Sequence, residues 1–270
     1  MRPSGESELT VSFDLPPGWV RVPANGRPGG LLRRNPYESL ARRLVAGKIR
    51  NQRTLLQRNH VEPRAEVLRD LKDLAERAEQ TAAIEELLGI EGYAARLYFG
   101  EFAGMIKLDG DGEFLFDFAG RNRRPPRDPV NALLSLAYSL LTKDLTIASY
   151  AVGFDPFIGF YHQPRFGRPA LALDLMEPFR PLVADSAVLS AINTRMVTEK
   201  DFVRAGPAVA LTPEGRKGFF RAYELRMDTM ITHPLFDYRV SYRRLLEIQA
   251  RLLARVLDGE IATYPVFVTR

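Results

Sequence analysis

The chain has 270 residues, of which 46% are hydrophobic and 26% charged, so it can bury a sizeable core in one large domain or two unequal ones. It contains no cysteine, which excludes disulfides, thiolate zinc sites and a cysteine nucleophile, and leaves carboxylates and histidine to bind any metal. The net charge of +5 is modest and by itself indicates only ordinary solubility.

Residues 1–34 contain patterns typical of two short strands, around 9–13 and 19–22, separated by Pro16-Pro17-Gly18. Two strands alone are marginally stable in water, so this segment must rest on the remainder of the chain or on a partner. Its first residues lack the apolar core of a signal peptide, and no apolar run approaches the ~20 residues of a membrane span. We therefore expect a reduced N-terminal β segment, a cytoplasmic location and no membrane contact.

Helical periodicity dominates residues 35–270, which we predict to form one domain. The fold class is therefore mainly α, a large all-helical domain preceded by a short, truncated β-strand segment, with polar loops that converge on a site. A loop or hairpin is expected at 109–118, and a loop rich in glycine and proline at 153–169. The predicted helices span 35–59, 63–80, 84–102, 130–150, 175–194, 213–231 and 241–257.

Basic residues concentrate in the first predicted helix. Between Arg33 and Arg58, eight lysine and arginine residues accompany a single acid. A surface of evenly mixed charge does not segregate in this way. The stretch, which includes Lys48, Arg50 and Arg53, is therefore a candidate phosphate-contacting face.

A second basic segment precedes the helix at 130–150 and is stiffened by two prolines. A solvated loop is the default interpretation, but preorganised arginines also suit a DNA duplex or a single strand. The arginines of this loop are Arg121, Arg123, Arg124 and Arg127.

Four polar residues lie in otherwise apolar or glycine-rich segments: Glu91, His162, Asp174 and Glu177. Two carboxylates and one imidazole suit a hard or borderline divalent cation, cancel about two charges and leave coordination positions for water or a phosphate oxygen. They indicate a metal site of the kind that processes phosphodiesters.

Each of these residues also has a purely structural interpretation. Glu91 can be a helical glutamate paired with an arginine, and His162 can be a hydrogen-bonded loop residue. Asp174 and Glu177 have the Asp-x-x-Glu spacing of a helix capping box. Arginines close to this set in the sequence favour the functional interpretation, because they can clamp a phosphate. They are Arg165, Arg168 and Arg180.

Several other chemistries leave no motif in the chain. There is no P-loop, no strand-coupled Gly-x-Gly-x-x-Gly, no His-Glu-x-x-His and no Gly-x-Ser-x-Gly. A mechanism driven by ATP or dependent on a dinucleotide therefore lacks its residues.

From about Leu40 onwards, the chain resembles the family of CRISPR-associated spacer-acquisition integrases, the "Cas one" family. Four blocks carry the resemblance, in the same order and with matching spacing. They read AGKIRNQR at 46–53, GIEGYAARLYF at 89–99, RRPPRDPVNALLS at 123–135, and GFDPFIGFYH at 153–162 continued by LDLMEPFRP at 173–181.

The resemblance implies that Glu91, His162 and Glu177 bind Mg²⁺ or Mn²⁺, with Asp174 as an auxiliary acid. It implies that Arg165 and Arg180 contact the DNA backbone. The implied reaction is attack by the 3′-hydroxyl of a short DNA on a phosphodiester at the leader-repeat junction of a CRISPR array. With water in place of the hydroxyl, the same site acts as a nuclease.

The resemblance also implies partners: double-stranded DNA with single-stranded 3′ ends, leader-repeat DNA, a second copy of the chain and a small ferredoxin-like subunit. The family usually begins with a complete β-rich domain, and residues 1–34 are shorter than that. A shortened variant, a fragment of a longer or fused protein, and a subunit that dimerises differently are all compatible with this. The acidic residues Glu91, Asp174 and Glu177 are part of the resemblance, and a protein that only binds DNA does not require such a cluster of acids.

Two other functions compete with the integrase. One is a non-catalytic DNA-binding scaffold, and the other is a mobile-element transposase that uses the same helical domain. The presence of Glu91, His162 and Glu177 together favours catalysis over the scaffold. A transposase would need an added sequence-reading module, and nothing after Leu257 resembles one.

Overall fold

The computed structural model describes residues 36–107, 116, 118–122, 124–163 and 165–269. The predicted β segment at 1–34 and Arg123 lie outside these ranges. Within them the chain is mainly α, as predicted. Its helices are α1 (Pro36–Asn59), α2 (Ala65–Gln80), α3 (Ile84–Glu101), α4 (Pro129–Val152), α5 (Ala170–Met176), α6 (Ser186–Asn193), α7 (Pro213–Met227) and α8 (Tyr242–Leu257).

The first three helices pack against one another and carry four of the candidate site residues, namely Lys48, Arg50, Arg53 and Glu91. α2 shows why: its buried residues Val67, Leu71, Leu74 and Ala78 recur at helical spacing and form one apolar stripe, while its other face is charged. Compared with α2, α1 is buried along more of its circumference, because α2, α3 and α5 all contact it. The inner face of α1 therefore reaches the centre of the molecule.

α4 is the central helix of the second half of the chain. It begins where the Asp128 side chain accepts a hydrogen bond from the Asn131 N–H, and Pro129 occupies its first turn. It ends at Gly153, whose φ of 98° is a left-handed conformation that glycine adopts without strain. The core residues that α4 contributes include Leu133, Leu134, Leu141 and Leu145, all fully buried.

The predicted helix at 175–194 is wrong at its start and in its middle. α5 begins earlier, at Ala170, and ends at Met176. Pro178 and Pro181 then lack the N–H that would continue a regular helix, so Arg180–Asp185 form a π-helical turn before α6. This break places Glu177 at a bend, where its carboxylate points between helices.

Two antiparallel hairpins also differ from the all-helical prediction. β1 (Phe202–Ala205) pairs with β2 (Ala208–Leu211), and β3 (Met230–Thr232) pairs with β4 (Arg239–Ser241). The predicted helix at 213–231 is consequently too long, since α7 ends at Met227. Strands of three or four residues are too short to show a distinct alternation of apolar and polar positions.

A short 3-10 helix (Phe102–Met105) follows α3, and another (Glu199–Asp201) precedes β1. None of the helices in the described ranges combines the length and the apolar composition that crossing a lipid bilayer requires.

Candidate metal centre

The structure brings together side chains that are far apart in the sequence. Lys48 Nζ, on α1, lies 2.5 Å from Glu91 Oε1 on α3 and 2.7 Å from Glu177 Oε2. His162 Nε2 lies 3.8 Å from the other oxygen of Glu177, Oε1. Glu91, His162 and Glu177 therefore meet in one polar cluster, called the pocket below, with the Lys48 ammonium between the two carboxylates.

Asp174 holds the loop that carries His162. Its Oδ2 accepts hydrogen bonds from the backbone N–H groups of Phe160 (2.7 Å) and Tyr161 (3.1 Å), and its Oδ1 accepts one from the backbone N–H of His162 (2.8 Å). Asp174 is fully buried within α5 rather than at its N-terminus. The capping-box interpretation of Asp174 and Glu177 is therefore wrong.

The same carboxylate sets the tautomer of the His162 ring. Asp174 Oδ1 lies 2.7 Å from His162 Nδ1, so a neutral ring carries its proton on Nδ1 and keeps the lone pair of Nε2 directed at the pocket. A carboxylate bonded to the far nitrogen of a histidine is a common arrangement around metal-binding imidazoles. His162 is thus held in the form in which Nε2 can bind a cation.

Charges inside the pocket are balanced by close contacts. Burial alone would raise the pKa of Glu91, but the Lys48 ammonium and hydrogen bonds from Lys48 and Tyr161 outweigh burial and hold this pKa at about 2. Burial also disfavours the Lys48 ammonium, yet Glu177 and Glu91 raise the pKa of Lys48 above its usual value. The structural alternative for Glu91, an ion pair within the fold, is therefore present, but with a lysine instead of an arginine.

Arg180 completes the positive side of the pocket. Its Nη2 lies 3.1 Å from Glu177 Oε1, and its guanidinium lies 4.9 Å from the centre of the Tyr138 ring. The Tyr138 hydroxyl donates to Asp185 Oδ1, and the Tyr98 hydroxyl donates to Asp185 Oδ2. Burial raises the pKa of Asp185 to about 6, while the tyrosine hydrogen bonds act in the opposite direction.

The chemical types of the donors in this pocket, carboxylate and imidazole, are those that hard or borderline divalent cations bind. Glu91, Asp174 and Glu177 supply three carboxylates against the two cations Lys48 and Arg180, which leaves one negative charge in excess. Glu177 Oε2 is buried and accepts no well-aligned hydrogen bond, although it contacts the Lys48 ammonium. Among the residues that the structure describes, no group of three His, Asp or Glu side chains is already arranged to hold a metal ion, and Lys48 lies between the carboxylates.

The predicted basic face of α1 needs one correction. Lys48 is only 5% exposed and pairs with carboxylates, so it does not belong to a solvent-facing phosphate site. Arg50 is on the outside of the helix and forms a bidentate pair with Glu79. Arg53 donates its Nε–H to the backbone carbonyl of Leu68.

The arginines of the loop before α4 do not form one surface. Arg121 is directed inward, where its guanidinium donates to Asn131 Oδ1 and Ser135 Oγ and lies 5.4 Å from the centre of the Tyr138 ring. This contact corrects the prediction that Arg121 faces solvent with its neighbours. Arg124 is exposed, and Arg123 lies outside the described residues.

Arg165 and Arg168 flank a tight turn beside His162. They pair as an isolated antiparallel bridge, and the Arg168 N–H donates to the Arg165 carbonyl at 3.0 Å. Phe166 is fully exposed at the tip, and Gly167 supplies the positive φ of 69° that the turn requires. The turn therefore presents basic side chains and an aromatic ring to solvent near the pocket.

Because Gly159 has no side chain, there is space beside it for the Asp174 carboxylate. A Cβ at this position would lie 2.7 Å from Asp174 Oδ2 and 2.8 Å from the backbone carbon of Ala170. We expect Gly159→Ala to lower the free energy of unfolding by about 1–3 kcal/mol, the usual range for overpacking. Urea unfolding of the purified variant measures this.

The matched control is Gly89→Ala, in α3, where an added Cβ meets nothing within 4 Å. This variant is expected to gain about 0.5–1 kcal/mol, because alanine suits a helix interior better than glycine. Equal stability of the two variants would contradict the close approach at Gly159.

Comparison with known proteins places the chain in a family. The model of the family described as "CRISPR associated protein Cas1" matches residues 33–225. A "CRISPR-associated exonuclease Cas4/endonuclease Cas1 fusion" from Geobacter sulfurreducens is 55% identical over 239 residues, which are 86% of this chain and 43% of the relative. A "CRISPR-associated endonuclease Cas1 3" from Thermus thermophilus is 43% identical over 94% of this chain and 75% of its own length.

Solved structures show the same fold. A casposase bound to integration product superposes with a TM-score of 0.73 at 25% identity, over 83% of this chain and 62% of that one. A Cas6-RT-Cas1–Cas2 complex contains a chain that superposes with a TM-score of 0.75 at 28% identity, over 88% of this chain and 26% of that one. The present chain spans less than half the length of the Geobacter fusion. From the family match and the identities to these relatives, the chain belongs to the Cas1 family of CRISPR-associated proteins.

Proposed function

We propose that this chain is the integrase and endonuclease of CRISPR adaptation, which inserts short DNA fragments into a CRISPR array by metal-dependent transesterification. The observation that carries the proposal is the pocket itself, in which Glu91, His162 and Glu177 approach one another from three separate parts of the chain. Buried acids of this kind destabilise a fold unless a cation compensates them. A pure scaffold gains nothing from such a cluster.

The proposed cofactor is Mg²⁺ or Mn²⁺, held by Glu91, His162 and Glu177. When bound there, the cation supplies Lewis-acid stabilisation of the attacking oxygen and of the charge that develops on the phosphate. Asp174 contributes indirectly, because it fixes the orientation and the tautomer of the His162 ring.

The remaining residues position the phosphate. Arg180 is preorganised by Glu177 and Tyr138, so its guanidinium can approach a phosphate oxygen with little loss of side-chain entropy. In the reaction, the oxygen of an attacking 3′-hydroxyl forms a new P–O bond and the target strand's 3′ oxygen leaves. The attacking hydroxyl loses its proton and the leaving oxygen gains one. One phosphodiester replaces another, so no nucleotide fuel is consumed.

The proposed substrates are double-stranded DNA with single-stranded 3′ ends and the leader-repeat DNA of the array. The casposase of similar fold is described as bound to integration product, and another similar chain is part of a Cas1–Cas2 complex. These descriptions support DNA and a Cas2 subunit as partners of this chain. The further proposed partners are a second copy of the chain and, as the form of the small subunit, a ferredoxin-like protein. A cytoplasmic location follows from the proposed substrates.

The similarity to a casposase also keeps a mobile-element transposase as a second candidate function. The two functions share the pocket and differ in the target DNA. Integration by the purified protein into a leader-repeat junction, in preference to random plasmid sequence, supports the adaptation integrase. Equal use of the two targets would favour the transposase.

Removal of divalent cations tests the proposed cofactor. We expect the purified protein to cut or join branched DNA in Mg²⁺ or Mn²⁺ and to lose this activity in EDTA, because the excess negative charge of the pocket would then face the substrate phosphate. Electrophoresis of a labelled branched substrate measures both products. Activity that persists in EDTA and is unchanged by added Mn²⁺ would contradict metal dependence.

The turn at Arg165 and Arg168 gives a separate prediction about DNA binding. Each arginine that neutralises one phosphate contributes about 0.9 to the slope of log affinity against log salt concentration. We expect Arg165→Gln with Arg168→Gln to weaken DNA binding and to reduce this slope by roughly 2. Fluorescence anisotropy over a series of salt concentrations measures the slope.

The control pair is Arg251→Gln with Arg255→Gln, which removes two exposed arginines of α8. This pair is expected to leave the slope nearly unchanged. If the two double variants behave alike, the turn beside His162 has no special role in DNA binding.

A further inference from the structure

A cavity of about 350 Å³ lies away from the metal centre, between the end of α1, α6, the end of α7 and the start of α8. Arg58, on its rim, is ten residues beyond Lys48 on α1, a separation of about 15 Å along the helix axis. The proposed integrase chemistry makes no use of this cavity. Its lining includes hydroxyl, amide and guanidinium groups, among them Thr54, Ser190 and Arg226.

Arg226, at the end of α7, lines the cavity. Its Nε donates to the Leu182 carbonyl at 2.6 Å, its Nη2 donates to the Tyr242 hydroxyl at 3.3 Å, and its guanidinium lies 4.7 Å from the centre of the Tyr242 ring. These partners are neutral. They fix the orientation of the guanidinium but do not compensate its charge.

The positive charge of Arg226, which is half-buried, differs in its partners from the charges of Lys48 and Arg180. Lys48 and Arg180 each contact a carboxylate. Among the described residues no ion pair joins Arg226 to an acid. Burial lowers the pKa of Arg226, the Tyr242 hydroxyl opposes that effect, and the like charge of Arg58 adds to it. A desolvated charge without a counterion is unfavourable, so the site gains stability when an anion enters.

The surroundings indicate which anion. No acid lines the cavity among the described residues, and Ser190 is an exposed hydroxyl at its edge. The cavity adjoins a groove of about 610 Å³ with which it shares Thr54, Arg58 and Thr269. That groove is also mainly basic, since its charged lining is Arg50, Arg53, Arg58 and Lys72 against Glu76.

We propose that the cavity around Arg226 is a phosphate-binding site, separate from the metal centre. A planar guanidinium held by neutral partners, with hydroxyl donors beside it, matches the tetrahedral oxygens of a phosphate group. The phosphate belongs either to a nucleic-acid strand lying in the adjoining groove or to a free small anion. The site goes beyond the proposed integrase activity and does not depend on it.

Titration with inorganic phosphate tests the site. The full chain is kept in EDTA, so that no cation binds at the metal centre, and phosphate replaces chloride at constant ionic strength. We expect saturable binding, seen as ³¹P line broadening and as a rise in the midpoint of thermal unfolding. Arg226→Gln should weaken the phosphate affinity by about tenfold or more, because a charge-assisted hydrogen bond is lost. Arg226→Lys, which keeps the positive charge, should retain part of the phosphate affinity.

Two further variants keep the test decisive if Arg226→Gln does not fold. Ser190→Glu adds a negative charge at the exposed edge of the cavity without disturbing a buried contact, and should also abolish phosphate binding. Arg243→Gln removes an exposed arginine of α8 that pairs with Glu224 and Asp228, and should leave phosphate binding unchanged. Equal phosphate affinity in wild type and Ser190→Glu, or no phosphate effect beyond that of chloride in wild type, would overturn the proposal.

A short single-stranded DNA distinguishes the two sources of phosphate. Displacement of inorganic phosphate by the strand in wild type assigns the site to a nucleic-acid backbone, whereas phosphate binding without displacement assigns it to a free anion. His162→Ala should bind phosphate like wild type, so failure of the integrase proposal would leave this result intact.

Discussion

His162→Ala is expected to reduce metal-dependent cutting and joining of branched DNA by more than about 100-fold, since even residues that only support a metal ligand contribute 10–100-fold. The ring supplies the nitrogen donor of the proposed site, and its Nε2 faces Glu177. Binding of the same DNA in EDTA should be unchanged, because the His162 side chain is mostly buried and the Asp174 carboxylate still accepts the backbone hydrogen bonds that hold this loop. Product yield and anisotropy, measured on one preparation, separate the two effects.

The matched control is His60→Ala. His60 lies at the end of α1, where its Nε2 is 3.5 Å from Glu101, outside the pocket. This variant should retain the activity. If His162→Ala remains fully active, His162 is not a ligand, and the structural alternative for this residue is correct.

Lys48→Met is expected to lower the free energy of unfolding in EDTA by about 3–5 kcal/mol, the usual result of removing one partner from a buried ion pair. Glu91 and Glu177 would then face each other without the ammonium between them. Mg²⁺ should restore more stability to this variant than to wild type, because the cation would compensate the charge that Lys48 supplied. Urea unfolding with and without Mg²⁺ measures both the loss of stability in EDTA and the stability that Mg²⁺ restores.

The pH dependence of the variant should differ in sign from that of wild type. In wild type the pKa of Glu91 is depressed to about 2, so its contribution to stability is present above the unfolded pKa of about 4.3 and is lost as pH falls through about 2. Without Lys48, burial raises the pKa of Glu91, and the variant should lose stability as pH rises. An unchanged pH profile in Lys48→Met would show that Lys48 does not govern the Glu91 charge.

Helix boundaries were predictable where the sequence contains local stop and start signals. α4 begins at the Asp128 cap and ends at Gly153, and α8 begins at Tyr242 after the Ser241 cap, all close to the predicted limits. The break at Glu177 was missed, although Pro178 and Pro181 signal it. Apolar periodicity on both sides of these prolines obscured the interruption.

The role of Lys48 was missed for a different reason. Charge counting grouped Lys48 with the exposed arginines of α1, but its position follows the helical spacing of Ala41, Leu44 and Val45, which are buried. The helical spacing of Lys48 relative to these buried residues therefore indicated that Lys48 is buried, which a count of charged residues does not show. A lysine on the apolar face of a helix requires a buried acid as its partner.

Convergence of Glu91, His162 and Glu177 could not be derived from spacing alone. These residues are brought together by long-range packing of α1, α3 and α5, and no local pattern encodes such contacts. The family resemblance supplied the expectation, and the structure adds the Asp174 hydrogen bonds that hold the histidine loop.

Electron paramagnetic resonance of bound Mn²⁺ tests whether Glu91, His162 and Glu177 hold one dication. We expect one tightly bound Mn²⁺ per chain with a coupled imidazole nitrogen, and loss of this nitrogen signal in His162→Ala. Glu177→Gln should weaken the binding, whereas the control Glu247→Gln, a half-buried residue of α8 that pairs with Arg251, should not. Mn²⁺ bound with the same affinity and the same nitrogen coupling in wild type, His162→Ala and Glu177→Gln would show that these residues are not the metal ligands.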